Sequence, residues 1–152
     1  MRSLLFSIVA FAPGMAVACD LALALAVDVS GSVSPEEYKS QMVGLAEGLR
    51  DGVVSEARGR AEAAVTVIQW TGSSRQVVSV PWTRVRDFDE LEALAITVEQ
   101  TNRKWRNFST AIGEALTFTH DAFSAVPDCK RWVIDVSGDG SSNEGILPTD
   151  TH

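Results

Sequence analysis

Asp28-Val29-Ser30-Gly31-Ser32 places an acid and two hydroxyls at alternate positions of one short loop. Alternate spacing lets three short oxygen side chains turn towards a common point, while Gly31 permits a sharp backbone. A hard cation such as Mg²⁺ takes about six oxygen ligands near 2.1 Å, so this loop can supply a large part of one coordination shell. The same wording also suits a plain turn that caps the next helix, and spacing alone leaves both readings open. Two further oxygen-bearing segments stand downstream: Thr110-Ala111-Ile112-Gly113-Glu114-Ala115-Leu116, and Asp139-Gly140 after an apolar run. The chain has two histidines, His120 and His152, and two cysteines, Cys19 and Cys129. Zinc sites built from several His or Cys ligands are therefore excluded, and any metal must be held by oxygen.

The elements that would position these residues can be read from periodicity. Leu21 to Val27 is apolar on both parities, with large side chains on one face and alanines on the other, which suits a central parallel strand covered on both sides. It ends in Asp28. Ser34, Pro35 and Glu37 then supply an N-cap, a first-turn proline and a capping-box acid, opening a helix with Tyr38, Met42, Leu45 and Leu49 on one face. Gly52 to Gly59 reads as a polar connection, Ala63 to Trp70 as a second buried strand, and Gln76 to Val80 as a third strand, antiparallel to the second and ending at Pro81. Phe88 to Val98 and Ile112 to Phe123 carry helical periodicity, with Pro127 as the stop of the latter. Trp132 to Val136 is a fourth strand, leading to Asp139. This order predicts a three-layer α/β fold, a mostly parallel Rossmann-like sheet with helices on both faces, in which ligands sit at the carboxyl ends of the strands.

With 152 residues, 45% hydrophobic and 22% charged, the chain is sized for one packed domain. Thirteen basic against twenty acidic residues give a formal charge of −7, which argues against a groove that holds nucleic acid by neutralising phosphates. Residues 1–18 have a basic start at Arg2, a short apolar stretch from Leu4 to Ala12, and Ala16 and Ala18 at −3 and −1 of a cleavage point. That is the layout of a secretory signal peptide, and the apolar run is shorter than the roughly 20 residues needed to span a membrane. Its removal leaves a domain over residues 19–152, secreted or periplasmic, with the charge moving from −7 to −8 as Arg2 is lost. Cys19 would then be the first mature residue, open to lipoprotein-type acylation as well as to a disulfide.

Asp28-x-Ser30-x-Ser32, the segment opening at Thr110, and Asp139-Gly140 together resemble the metal-ion-dependent adhesion site (MIDAS) of von Willebrand factor type A (vWA) domains. The motifs stand in family order from Leu21 to about Gly145. The wording Val-Asp-Val-Ser-Gly-Ser-Val-Ser also resembles a bacterial exported subgroup of unknown function. The resemblance implies that Ser30, Ser32 and Thr110 offer hydroxyls to Mg²⁺ or Mn²⁺, with Asp28 and Asp139 binding directly or through water. It implies a partner protein or peptide whose Glu or Asp carboxylate completes the shell, and no catalysis. Ser109 stands where the family commonly has Gly, which makes it an alternative to Thr110. The family's sheet normally continues with two further strand and helix units, and thirteen residues after Asp139 cannot hold them, so a C-terminally truncated domain is expected.

If Asp28 and Asp139 end neighbouring parallel strands, Cys19, nine residues back, and Cys129, ten residues back, lie at the opposite ends of that pair. Neighbouring strands run about 4.8 Å apart, within disulfide reach. Asp135 is expected to be buried in the fourth strand with a satisfied partner, His120 to be a surface or structural residue, and Trp70, Trp82, Trp105 and Trp132 to be packing residues, with Trp105 placed to line the Thr110 loop. Glu144 reads as a solvated charge or a rim contact. Two other functions compete with the binding module. One is a Mg²⁺-dependent phosphatase using Asp28 as nucleophile, although Ser30 stands where such enzymes carry a second acid. The other is a truncated fragment without function.

Overall fold

A computed structural model describes residues 19–57, 62–138, 141–146 and 149. The signal-peptide reading of residues 1–18 and the ligand assignment of Asp139 lie outside them. Four strands, β1 (Cys19–Asp28), β2 (Glu62–Trp70), β3 (Gln76–Val85) and β4 (Arg131–Ser137), form one sheet in the order β3-β2-β1-β4. β1 pairs in parallel with both β2 and β4, and β3 runs antiparallel to β2. The helices are α1 (Pro35–Ala57), α2 (Phe88–Glu99) and α3 (Ile112–Ala122), the last tightening into a 3₁₀ turn over Phe123–Ala125. This is the expected α/β fold with a mostly parallel sheet.

The two faces of β1 explain the layering. Leu21, Leu25 and Val27 bury against Tyr38, Met42 and Leu49 of α1 and Leu91, Leu94 and Val98 of α2. Ala22, Ala24 and Ala26 leave the opposite face shallow, and there Phe123, Val126, Trp70 and Ala115 fill the space. Large side chains would hold α3 away from the sheet, so the alanine face sets how closely the third layer approaches. A bond between Cys19 and Cys129 ties β1 to the lead-in of β4, with 4.3 Å between the two Cα atoms. The sulfur that acylation of Cys19 would need is taken up in that bond.

Three expectations need correction. α1 continues through Gly52 to Ala57, where a polar connection was expected. Extending a formed helix adds a hydrogen bond per residue without a new nucleation cost, which offsets the roughly 1 kcal/mol that glycine costs in a helix. β3 passes through Pro81 and reaches Val85. Its register against β2 shifts between Val65↔Thr83 and Val67↔Val80, so Pro81 sits in a bulge of an edge strand, where its missing N–H breaks no ladder bond. Asp135 is exposed, because β4 is the outer strand on its side of the sheet among the described residues. The same position exposes Trp132, Val133 and Val136, although Trp132 still stacks on Phe123 with 5.0 Å between ring centroids.

Candidate metal centre

The carboxyl ends of β1, β2 and β4 meet at one edge, and Asp28, Ser30 and Ser32 lie there. Asp28 closes β1 and is fully buried, and its Oδ1 accepts the backbone N–H of Ser30 at 2.7 Å, which turns the chain sharply out of the strand. Val29 N–H donates to Trp70 O at 2.9 Å, so the turn stays anchored to the end of β2. Ser30 is buried and Ser32 exposed, and their hydroxyl oxygens stand 3.1 Å apart. Gly138, just past β4, lies over Asp28: a Cβ there would come within 3.2 Å of the Asp28 side chain.

The Thr110 segment is bonded onto this turn. Gly31 N–H donates to Phe108 O at 2.8 Å, and a Cβ on Gly31 would meet Asn107 Cα at 3.2 Å, so only glycine allows this approach without displacement. Thr71 Oγ1 donates to Ser109 O at 2.8 Å. Thr110 itself is buried; its N–H donates to Asn143 Oδ1 at 2.9 Å and its carbonyl accepts the N–H of Asn143 at 2.9 Å. Ser109 Oγ instead donates to the Glu144 carboxylate, which also accepts from Ser73 Oγ. Ser109 is thereby engaged with Glu144, and Glu144, although exposed, links the Ser73 turn to the Thr110 segment. The structure thus brings Asp28, Ser30 and Ser32 onto one loop and packs the segment bearing Thr110 against it.

Arg103 was not singled out from the sequence. Its guanidinium donates to Val33 O at 2.7 Å, to Val29 O at 3.0 Å and to Ser30 O at 2.7 Å, while Nε donates to Trp105 O at 2.8 Å. Burial lowers its pKa most, the nearby Arg106 lowers it further, and Asp28 and Tyr38 pull it back up. An arginine stays protonated throughout, so a fixed positive charge lies beneath the loop. Tyr38 closes the same region: its hydroxyl donates to Thr101 O at 2.8 Å, and burial pushes it up to about 12. Trp105 packs half-buried against the α1 and α2 side of the core.

The donor set fits a small hard cation. Two oxygens on neighbouring vertices of an octahedron about 2.1 Å from its centre lie about 3.0 Å apart, close to the 3.1 Å between the Ser30 and Ser32 hydroxyls, which hydrogen-bond to each other. Among the described residues no group of three or more His, Cys, Asp or Glu could hold a metal, so the fit rests on hydroxyls beside one buried acid.

A mostly parallel sheet clad on both faces, with the Asp-x-Ser-x-Ser turn at its carboxyl edge, is a vWA-like fold. The chain belongs to the family described as protein of unknown function (DUF1194), whose model matches residues 18–152. No curated protein matches it. Among solved structures it is similar to proximal thread matrix protein 1 from the mussel byssus, in a form with a zinc-occupied MIDAS motif, at 21% identity and a TM-score of 0.65 over 88% of this chain and 35% of that one. It is also similar to the vWF domain of the type V pili tip protein Mfa5 from Porphyromonas gingivalis, at 10% identity and a TM-score of 0.56, covering 84% of this chain and 40% of that one. An aerotolerance-related membrane protein from Bacteroides fragilis aligns at 19% identity and a TM-score of 0.56, covering 82% of this chain and 57% of that one. At these identities the likeness is one of fold, and the chain spans about a third of the length of the byssus protein.

Proposed function

We propose that this protein is a metal-dependent binding module, without catalysis of its own, that holds Mg²⁺ or Mn²⁺ and captures a carboxylate on a protein or peptide partner. The observation that carries the reading is the pair of serine hydroxyls at octahedral-edge spacing beside buried Asp28. Ser30, Ser32 and Thr110 would supply neutral oxygens, and Asp28 and Asp139 would act directly or through water. Bound there, the cation supplies an electrophilic open position, because neutral hydroxyls compensate little of its charge. Asp28 is held in place by its bond from Ser30 N–H, and Arg103 fixes the loop carbonyls so that the turn keeps its shape. The byssus and pilus neighbours support an adhesive role and a divalent ion in general. An exported location is supported by the residue 1–18 pattern and by the Cys19–Cys129 bond, which forms in oxidising compartments. Among the described residues no helix is long and apolar enough to cross a membrane.

The test is a thermal-melt titration of the oxidised protein with Mg²⁺ and Mn²⁺, beside Asp28→Ala, with p-nitrophenyl phosphate turnover followed in parallel. Ligand binding to the folded state raises its stability by mass action, reaching about 2.7 kcal/mol at a hundredfold excess over Kd. A metal-dependent rise in the parent alone, with no turnover, is expected. A melt indifferent to metal overturns the reading, and turnover lost in Asp28→Ala replaces it with the phosphatase.

A further inference from the structure

Next to the metal loop, a cleft of about 290 Å³ opens between the first turns of α1 and the segment that follows α2. Its lining includes Lys39, Arg103 and Arg106, with Tyr38 as a floor and Glu99 as its single acid. Glu99 faces Arg50, at 3.8 Å. In a chain of net charge −7, Arg50, Arg84, Arg86 and Lys130 each have a carboxylate partner. Lys39 and Arg106, both exposed, have none within ion-pair distance among the described residues. Arg103 joins the two places, because the guanidinium that lines this cleft also bonds Ser30 O and Val33 O of the metal loop.

We propose that this cleft is a second carboxylate subsite, so that the partner is an acidic peptide placing one carboxylate on the metal and another between Lys39 and Arg106. The proposal rests on the metal-site reading above and specifies its ligand. Charge complementarity carries it: Lys39, Arg103 and Arg106 line one cleft, and cations gathered without a carboxylate partner repel one another. An arriving carboxylate relieves that repulsion, while the chain's overall negative charge keeps anions from collecting elsewhere on its surface. A peptide with a single acid would use the metal alone, and one with several acids a few residues apart would use both places.

The experiment measures fluorescence anisotropy of two labelled synthetic peptides in Mg²⁺. One carries four consecutive glutamates, and the other a single glutamate among glutamines. The protein is the parent, Lys39→Gln/Arg106→Gln or Asp28→Ala, with Mg²⁺ binding followed separately by calorimetry. Both cleft substitutions are at exposed positions, and an unchanged melt verifies folding. Exposed ion pairs are individually weak, so loss of two is expected to weaken the tetraglutamate peptide about tenfold and to leave the single-glutamate peptide and Mg²⁺ affinity unchanged. Bound Mg²⁺ with equal tetraglutamate affinity in the parent and the double variant overturns the cleft. Absent Mg²⁺ binding with tetraglutamate still dependent on Lys39 and Arg106 supports the cleft and overturns the metal reading. Neither ligand bound overturns both.

Discussion

Three carbonyl oxygens of the turn between β1 and α1, those of Val29, Ser30 and Val33, converge on the guanidinium of Arg103. Within the turn only Ser30 O gains a backbone donor, Val33 N–H at 3.2 Å, and a planar fork with several fixed donors serves all three carbonyls as lysine would not. Arg103→Met is expected to destabilise the fold by about 2 kcal/mol, since each bond to a charged donor is worth about 1.5–3 kcal/mol but solvent can replace part of the loss at this half-buried site. Mg²⁺ affinity should fall about tenfold, with Arg103→Lys recovering only part. Urea melts and calorimetric titration check both, and an unchanged affinity would remove Arg103 from the site. That Asp28, Ser30 and Ser32 share one turn was legible because the pattern is local, three oxygens within five residues. Arg103 was not, because its partners lie 70 to 74 positions away and no spacing records them. Glu144, reaching Ser73 across 71 positions, was hidden for the same reason.

At the scale of elements, β1 was the most readable part of the chain. Its alternation of leucine and alanine specified a central strand covered on both faces, and the structure packs α1 and α2 on the leucine face and Phe123 and Val126 on the alanine face. The end of α1 and the length of β3 were less readable, because Gly52 and Pro81 are punctuation whose force depends on neighbours that a local pattern does not contain. The Cys19–Cys129 bond followed from strand adjacency, and the parallel pairing of Leu21 with Arg131 provides it. Bridging positions 110 apart restricts the unfolded chain by about 4–5 kcal/mol on the loop-entropy model. Reduction, or Cys19→Ser with Cys129→Ser, is therefore expected to lower the unfolding free energy by about 4 kcal/mol. Denaturant melts with and without reductant measure it, and coincident curves would show that β1 and β4 hold together without the bridge.

For the whole molecule, the pH dependence of stability follows from its carboxylates. Glu37 is held below its usual range by bonds from Ser34, Glu92 by Arg50, and Asp128 by Arg84. Each titrates lower in the folded state than in the unfolded chain, so the unfolded chain binds more protons as acidity rises. Stability is then fully present above the ordinary values of 4.5 for Glu and 3.8 for Asp and is lost as pH falls through and below them. The urea midpoint should drop between neutral pH and about pH 3, by less in high salt because the pairs are exposed. A midpoint constant over that interval would show that these pairs contribute nothing to the difference between the two states.

The disulfide also decides how the molecule carries force. A tensile load applied at Cys19 and past Gly138 crosses from Cys19 to Cys129 through the covalent bond and then runs along β4. Residues 20–128, which include the Asp28 turn, Arg103 and Thr110, fall outside that path. The Asp28 turn, Arg103 and Thr110 are thereby spared tension in the backbone for as long as the sulfur–sulfur bond is intact, whereas the chain past Gly138 stays on the path.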